Sequence, residues 1–150
     1  MATPYSEIYQ AFIFKVKGYD LLMLLDEDRE DILHIYMVSV CRKIGKKVRS
    51  YANLSDRDDT AGEFVSDIDE DLIDIIAECM ITEWLKPQIY SDELLESRLN
   101  TKDFSEYSPA KLIEHIRYVY EMSTKASVAA VNNYTFSHND IAELTKNDRD

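Results

Sequence analysis

Apolar positions in this chain recur mainly three and four residues apart, the spacing of helices with one buried face. The clearest case is Asp67–Gln88, where Leu72, Ile76, Met80 and Trp84 fall every fourth residue. Ile73, Ala77 and Cys79 widen that row into a broad stripe. The pattern predicts a helix capped by Asp67, with Glu70 in the reciprocal capping position. Asp69, Glu70 and Asp71 place negative charge at the positive end of the helix dipole. Lys86 suits the last turn, and Pro87, which lacks an N–H, is expected to stop the helix. Trp84, the single tryptophan, reads as a core anchor at the end of the stripe. The other helices are expected to pack around this one.

Upstream, Thr3-Pro4 reads as a cap followed by a first-turn proline. Ile8, Ala11, Phe12 and Val16 then keep helical spacing as far as Gly18, although Phe12, Phe14 and Val16 also alternate like a strand. Tyr19–Leu25 is an apolar connector that must be buried, in the core or under a partner. A second helix opens on the acidic run Asp26–Asp31, with Ile32, Ile35, Tyr36, Ser39, Val40 and Ile44 as its apolar face. It closes on Arg42, Lys43, Lys46, Lys47 and Arg49, an acidic-to-basic order that the dipole favours. Residues 50–66 are rich in Asn, Ser, Asp, Thr and Gly and read as a loop.

Downstream, Ser91, Asp92 and Glu93 start a short helix with Leu94, Leu95 and Leu99 as its buried face. Phe104 and Tyr107 anchor the connector after it. Ser108-Pro109 opens a further helix along Leu112, Ile113, Ile116, Val119, Tyr120 and Ser123, continued by Ala126, Ala129 and Ala130. The pattern fades at Asn132-Asn133. Tyr134, Thr135 and Phe136 form a β-prone segment able to add a strand to a partner's sheet edge, and a polar tail follows. The expected architecture is an all-α bundle of four or five helices over residues 1–133. Residues 134–150 are expected to form a mobile or partner-bound tail.

Composition supports helices, since Gly and Pro number only 3 each. A chain of 150 residues suggests a single domain. The net charge of −12 argues against nucleic-acid binding through the overall field. Locally, the cations Arg42–Arg49 form a patch that suits either phosphate or an acidic protein surface. Between Asp56 and Asp71 stand eight acids and one base. Asp56, Asp58, Asp59 and Glu63 are the acids expected to face a neighbouring subunit. The EF-hand spacing fails in both registers, because Ala61 or Leu72 occupies the required glycine position. No metal or cofactor is expected. Cys41 and Cys79 lie in apolar helical patterns and read as small buried hydrophobes. No basic-then-apolar leader or 20-residue apolar run occurs, so synthesis in the cytosol without a membrane span is expected.

Catalytic signatures are missing. With glycine only at 18, 45 and 62, no phosphate-cradling loop can form, and neither G-x-S-x-G nor H-E-x-x-H occurs. His34, His115 and His138 are scattered and read as ordinary helix or surface residues. No catalytic residue is assigned.

A long segment carries a resemblance. It runs from Leu54-Ser55-Asp56-Arg57-Asp58 through Met80–Pro87, which reads M-x-x-E-W-L-K-P. It continues through Asp92-Glu93-Leu94-Leu95 and Lys102-Asp103-Phe104 to Tyr107-Ser108-Pro109-Ala110 and the helix after it. This stretch, roughly residues 54–136, resembles head–tail connector (neck adaptor) proteins of tailed phages and prophages of Gram-positive bacteria. The resemblance implies a small helical virion protein, a homo-oligomeric and typically twelve-fold ring under the portal. Such a ring extends the DNA channel and docks the next neck or tail protein. It implies a place in the virion neck, and the host cytoplasm during assembly. It carries no catalytic residue and no sequence-specific contact with DNA. In such a ring the Arg42–Arg49 patch is expected to meet the acidic stretch of the next subunit. The alternative from residues alone is a cytosolic helical adaptor or regulator that binds another protein.

Overall fold

The computed structural model describes residues 2–22, 30–49, 51–89 and 109–149, the last stretch with side chains from 111 to 136. The readings for residues 91–107 and for most of Asp26–Asp31 lie outside these residues. Among those described, four helices form an all-α bundle: α1 (Tyr5–Gly18), α2 (Glu30–Val48), α3 (Glu70–Ile89) and α4 (Pro109–Arg149). Three two-residue strands, β1 (Thr3–Pro4), β2 (Arg57–Asp58) and β3 (Glu63–Phe64), form an antiparallel sheet in the order β1-β3-β2.

The predicted central helix is central. α1, α2 and α4 each pack most extensively against α3. From Ile75 to Ile81 every α3 side chain is buried. These two turns are therefore enclosed all round, where the sequence pattern predicted one buried face. Trp84 is buried in the core, with its ring edge-on to Phe12 at 5.8 Å and 87°.

The cap of α3 is Asp69, not Asp67. Asp69 Oδ1 accepts the Leu72 N–H at 2.7 Å. Ile68 is buried, and its N–H donates to Thr3 Oγ1 at 2.8 Å, so the chain is held extended until Asp69. Thr3 is thus a strand residue that braces the approach to α3, and Pro4 occupies the N-cap position of α1 without a side-chain cap. Pro87 does not stop α3 but sits in its last turn. At that end Gln88 Nε2 donates to the Trp84 carbonyl at 3.1 Å.

Helix α1 ends at Gly18, as the sequence suggests, but glycine is not its left-handed closing residue. Asp20 takes the left-handed conformation (φ 59°). The Leu21 N–H reaches the Val16 carbonyl and the Asp20 N–H the Lys17 carbonyl, both at 3.0 Å. This is a Schellman closure, with Leu21 and Val16 buried as its apolar contact. Leu21 of the apolar connector is therefore in the core, while Leu22 is half exposed.

The face of α2 differs from the predicted one. Leu33, Met37, Val40, Cys41, Ile44 and Val48 are buried, whereas Ile35 is 64% exposed. On α4 the buried row is Leu112, Ile116, Val119, Ser123, Ser127, Val131 and Tyr134. Ala126 and Ala129 fall on the outer side. Thr82 Oγ1 meets Ser123 Oγ at 3.0 Å and Ser127 Oγ at 3.4 Å, a hydroxyl seam between α3 and α4. Ser123 Oγ also donates to the Glu78 carbonyl at 3.2 Å.

The β-prone reading of Tyr134, Thr135 and Phe136 is overturned, as all three are helical within α4. Tyr134 is buried, so the packed bundle extends past the expected boundary at residue 133. Asn132 and Asn133 point outward and the helix runs through them.

Candidate functional site

Helix α2 carries the charge that the sequence singled out. Arg42, Lys46, Lys47 and Arg49 are exposed along its C-terminal end. Lys43 is different, because its Nζ pairs with Glu83 Oε1 on α3. Ser39 Oγ approaches the other oxygen of that carboxylate at 3.5 Å. Lys43 therefore ties α2 to α3, and four cations remain directed outward.

The acidic stretch divides in the same way. Asp58 Oδ1 accepts the N–H groups of Thr60 and Ala61, both at 3.1 Å, and so shapes the β2–β3 hairpin. Gly62 closes that hairpin at φ 70°, where a side chain would be strained. Glu63 is half-buried on β3, and Asp56 is exposed. Asp59 points into a cleft.

That cleft, about 530 Å³, opens between the hairpin, the start of α1 and the start of α2. Tyr5, Tyr9, Glu30, His34 and Asp59 supply its polar groups. The Tyr5 hydroxyl donates to Asp59 Oδ1 at 2.7 Å. His34 Nε2 stands 3.6 Å from the same oxygen, and His34 Nδ1 is 3.4 Å from the Tyr9 hydroxyl. The Tyr5 ring lies 5.3 Å from the His34 ring and 6.4 Å from the Tyr9 ring. Burial and the neighbouring acids raise both phenols, Tyr9 to about 12, so both remain protonated near neutral pH. The cleft thus presents two carboxylates beside two phenol groups, which suit a cation better than an anion.

Of this group only Asp59 was singled out in the sequence. Tyr5, Tyr9, Glu30 and His34 were missed as site residues. The available signal was two pairs at helical i, i+4 spacing, Tyr5 with Tyr9 and Glu30 with His34, each sharing a helix face.

The remaining candidates have structural surroundings. A groove of about 150 Å³ between α2, α3 and α4 is lined by Ile44, Cys79, Thr82 and Val128 among others. Burial raises the Cys79 thiol and pushes the Cys41 thiol up to about 12, so neither is an activated nucleophile. Tyr134 is engaged inside the bundle, with its ring edge-on to Tyr51 at 5.6 Å. Thr135 Oγ1 donates back to the Asn132 carbonyl at 3.0 Å. Phe136 alone of the expected docking trio is exposed, at 60%. Among the described residues no group of three His, Cys, Asp or Glu side chains is placed to hold a metal ion. Among them, too, no helix is long and apolar enough to cross a membrane.

Comparison with protein-family models, curated proteins and solved structures finds no match to this chain.

Proposed function

We propose that this chain is a structural protein of a tailed-phage virion, a head–tail connector that assembles in multiple copies beneath the portal. The observation that carries the proposal is the division of charge along α2. Its C-terminal end exposes Arg42, Lys46, Lys47 and Arg49, which make no ion pair among the described residues. Its N-terminal end, with Glu30 and the adjoining hairpin, is acidic and aromatic. Unlike surfaces on one subunit, held apart by a rigid element, favour head-to-tail contacts between copies. The word pattern of residues 54–136 supports the same reading. The net charge of −12 fits a channel wall that passes DNA without retaining it.

The test is assembly. Electron microscopy and light scattering of the purified chain, alone and with a tailed-phage portal protein from the same genome, should show rings that depend on the portal. Reversing Lys46 and Lys47 to Glu should abolish them. A chain that stays monomeric with portal present sinks the proposal. A stable dimer that ignores portal and captures a host protein favours the adaptor alternative.

A further inference from the structure

We infer that the Tyr5–Tyr9–Glu30–Asp59 cleft is a socket for an arginine side chain from the basic end of α2 of a second copy, an assignment that rests on the multi-copy reading above. The chemistry of the walls selects the guest. Asp59 Oδ1 is engaged by Tyr5, while Oδ2 has no hydrogen-bond partner among the described residues. Glu30 lines the cleft one turn before His34 and forms no ion pair among the described residues. Tyr5 and Tyr9, both buried, stand beside these carboxylates. A guanidinium is flat, weakly hydrated and able to donate two parallel bonds to a carboxylate. An ammonium matches only the charge.

Among the described residues, no cation lines the cleft. Arg57 is near enough for its charge to act on Tyr5, but its guanidinium donates to the Leu54 carbonyl at 2.7 Å. Arg42 belongs to the same helix as Glu30 and His34, and Arg49 directly follows its last residue. They lie 12 and 19 residues beyond Glu30, about 18 and 28 Å along the axis at 1.5 Å per residue. No side chain spans that distance backwards along its own helix. A plug from that end of α2 must therefore come from another molecule. Plug and socket sit at opposite ends of one rod, so two unions made across a two-fold axis close a dimer, whereas a single union per pair is heterologous. The heterologous union, which the multi-copy reading requires, repeats from copy to copy until the rotation closes a ring.

Two measurements on the full chain test the assignment. In the first, the His34 and tyrosine ring signals are followed by NMR as N-acetyl-arginine amide is added. The lysine and citrulline analogues serve as controls. Saturable shifts are expected with arginine, weaker ones with lysine and none with citrulline, and Glu30→Gln with Asp59→Asn should remove them. Both replacements keep side-chain shape, and the amide oxygen introduced by Asp59→Asn can still accept from Tyr5. In the second, sedimentation equilibrium measures self-association. Glu30→Gln with Asp59→Asn should weaken it about tenfold or more, as should Arg42→Gln or Arg49→Gln. The exchanged pair Asp59→Arg with Arg49→Asp should recover part of the loss if Arg49 is the plug, and Asp59→Arg with Arg42→Asp if it is Arg42.

Ring signals that stay unmoved by arginine overturn the socket. Portal-dependent rings that form equally well with Glu30→Gln and Asp59→Asn overturn it too, while leaving the connector proposal standing. Saturable arginine binding by a chain that stays monomeric even with portal present overturns the second-copy assignment and the connector proposal together.

Discussion

The Tyr134 hydroxyl donates to Asp69 Oδ2 at 2.8 Å, while Oδ1 of the same carboxylate caps α3 through the Leu72 N–H at 2.7 Å. One side chain thus closes the start of α3 and holds α4 against it. Tyr134→Phe should remove only the second role and cost about 1 kcal/mol. Asp69→Ala should remove both and cost about 2 kcal/mol. Urea denaturation of the two single variants and the double variant checks this. If the roles are shared as described, the double variant is little worse than Asp69→Ala.

The hydroxyl seam sets how closely α3 and α4 approach. Ser123 is fully buried against Thr82 and the Glu78 carbonyl. Ser123→Leu must push the helices apart and should destabilise by about 3 kcal/mol. Ser123→Ala keeps the spacing and loses only hydrogen bonds, for about 1 kcal/mol. Thermal melts of both variants distinguish spacing from bonding, and equal losses would refute the spacing argument.

Glu78 is a buried acid in the middle of the central helix. Tyr19 Oη donates to Glu78 Oε1 at 2.5 Å, and Lys15 Nζ lies 3.5 Å from Oε2 and 3.0 Å from Asp74 Oδ1. Lys15→Met should cost about 2 kcal/mol, because it strands a carboxylate in the core. Adding Glu78→Leu should recover much of that loss. A chemical-denaturation cycle across the two sites measures the recovery.

Alkaline pH should unfold the protein early. Tyr5, Tyr9, Tyr19 and Tyr134 are all held protonated by burial first and then, in each case, by nearby carboxylates. Cys41 and Cys79 are raised mainly by burial. The folded values lie above the unfolded ones, so the stability these groups contribute is complete below the unfolded pKa. It is lost as pH rises through the folded pKa. The decline should begin near pH 9 with the thiols and steepen above pH 10 as the phenols join. Each group adds about 1.4 kcal/mol per pH unit within its own window. Urea midpoints from pH 7 to 11 check the onset, and a flat profile to pH 11 would contradict it.

How far the sequence could be read depended on whether one local pattern had a rival. Leu72, Ile76, Met80 and Trp84 had none, and α3 lies where they place it. On α2 two apolar rows compete, and spacing alone favoured the one containing Ile32 and Ile35. Packing against α3 and α1 selected Leu33, Met37 and Cys41 instead. The choice between Asp67 and Asp69 as cap turned on Thr3, a residue 65 positions from Ile68. The β propensity of Tyr134, Thr135 and Phe136 yielded to packing, because Tyr134 completes a row begun at Leu112. The cleft was the least legible feature. Its groups come from residues 5, 9, 30, 34 and 59, which only the folded chain brings together.

The enclosure of α3 bears on how the protein is made. Its wrapping comes from segments on both sides of it in the chain, so a growing polypeptide cannot cover it until α4 has left the ribosome. Until then Cys79, Thr82 and the rest of the α3 face that α4 covers have only water or a chaperone for company. Any version of the chain halted before Tyr134 should therefore collect as insoluble material, and a folded half-length fragment is not to be expected.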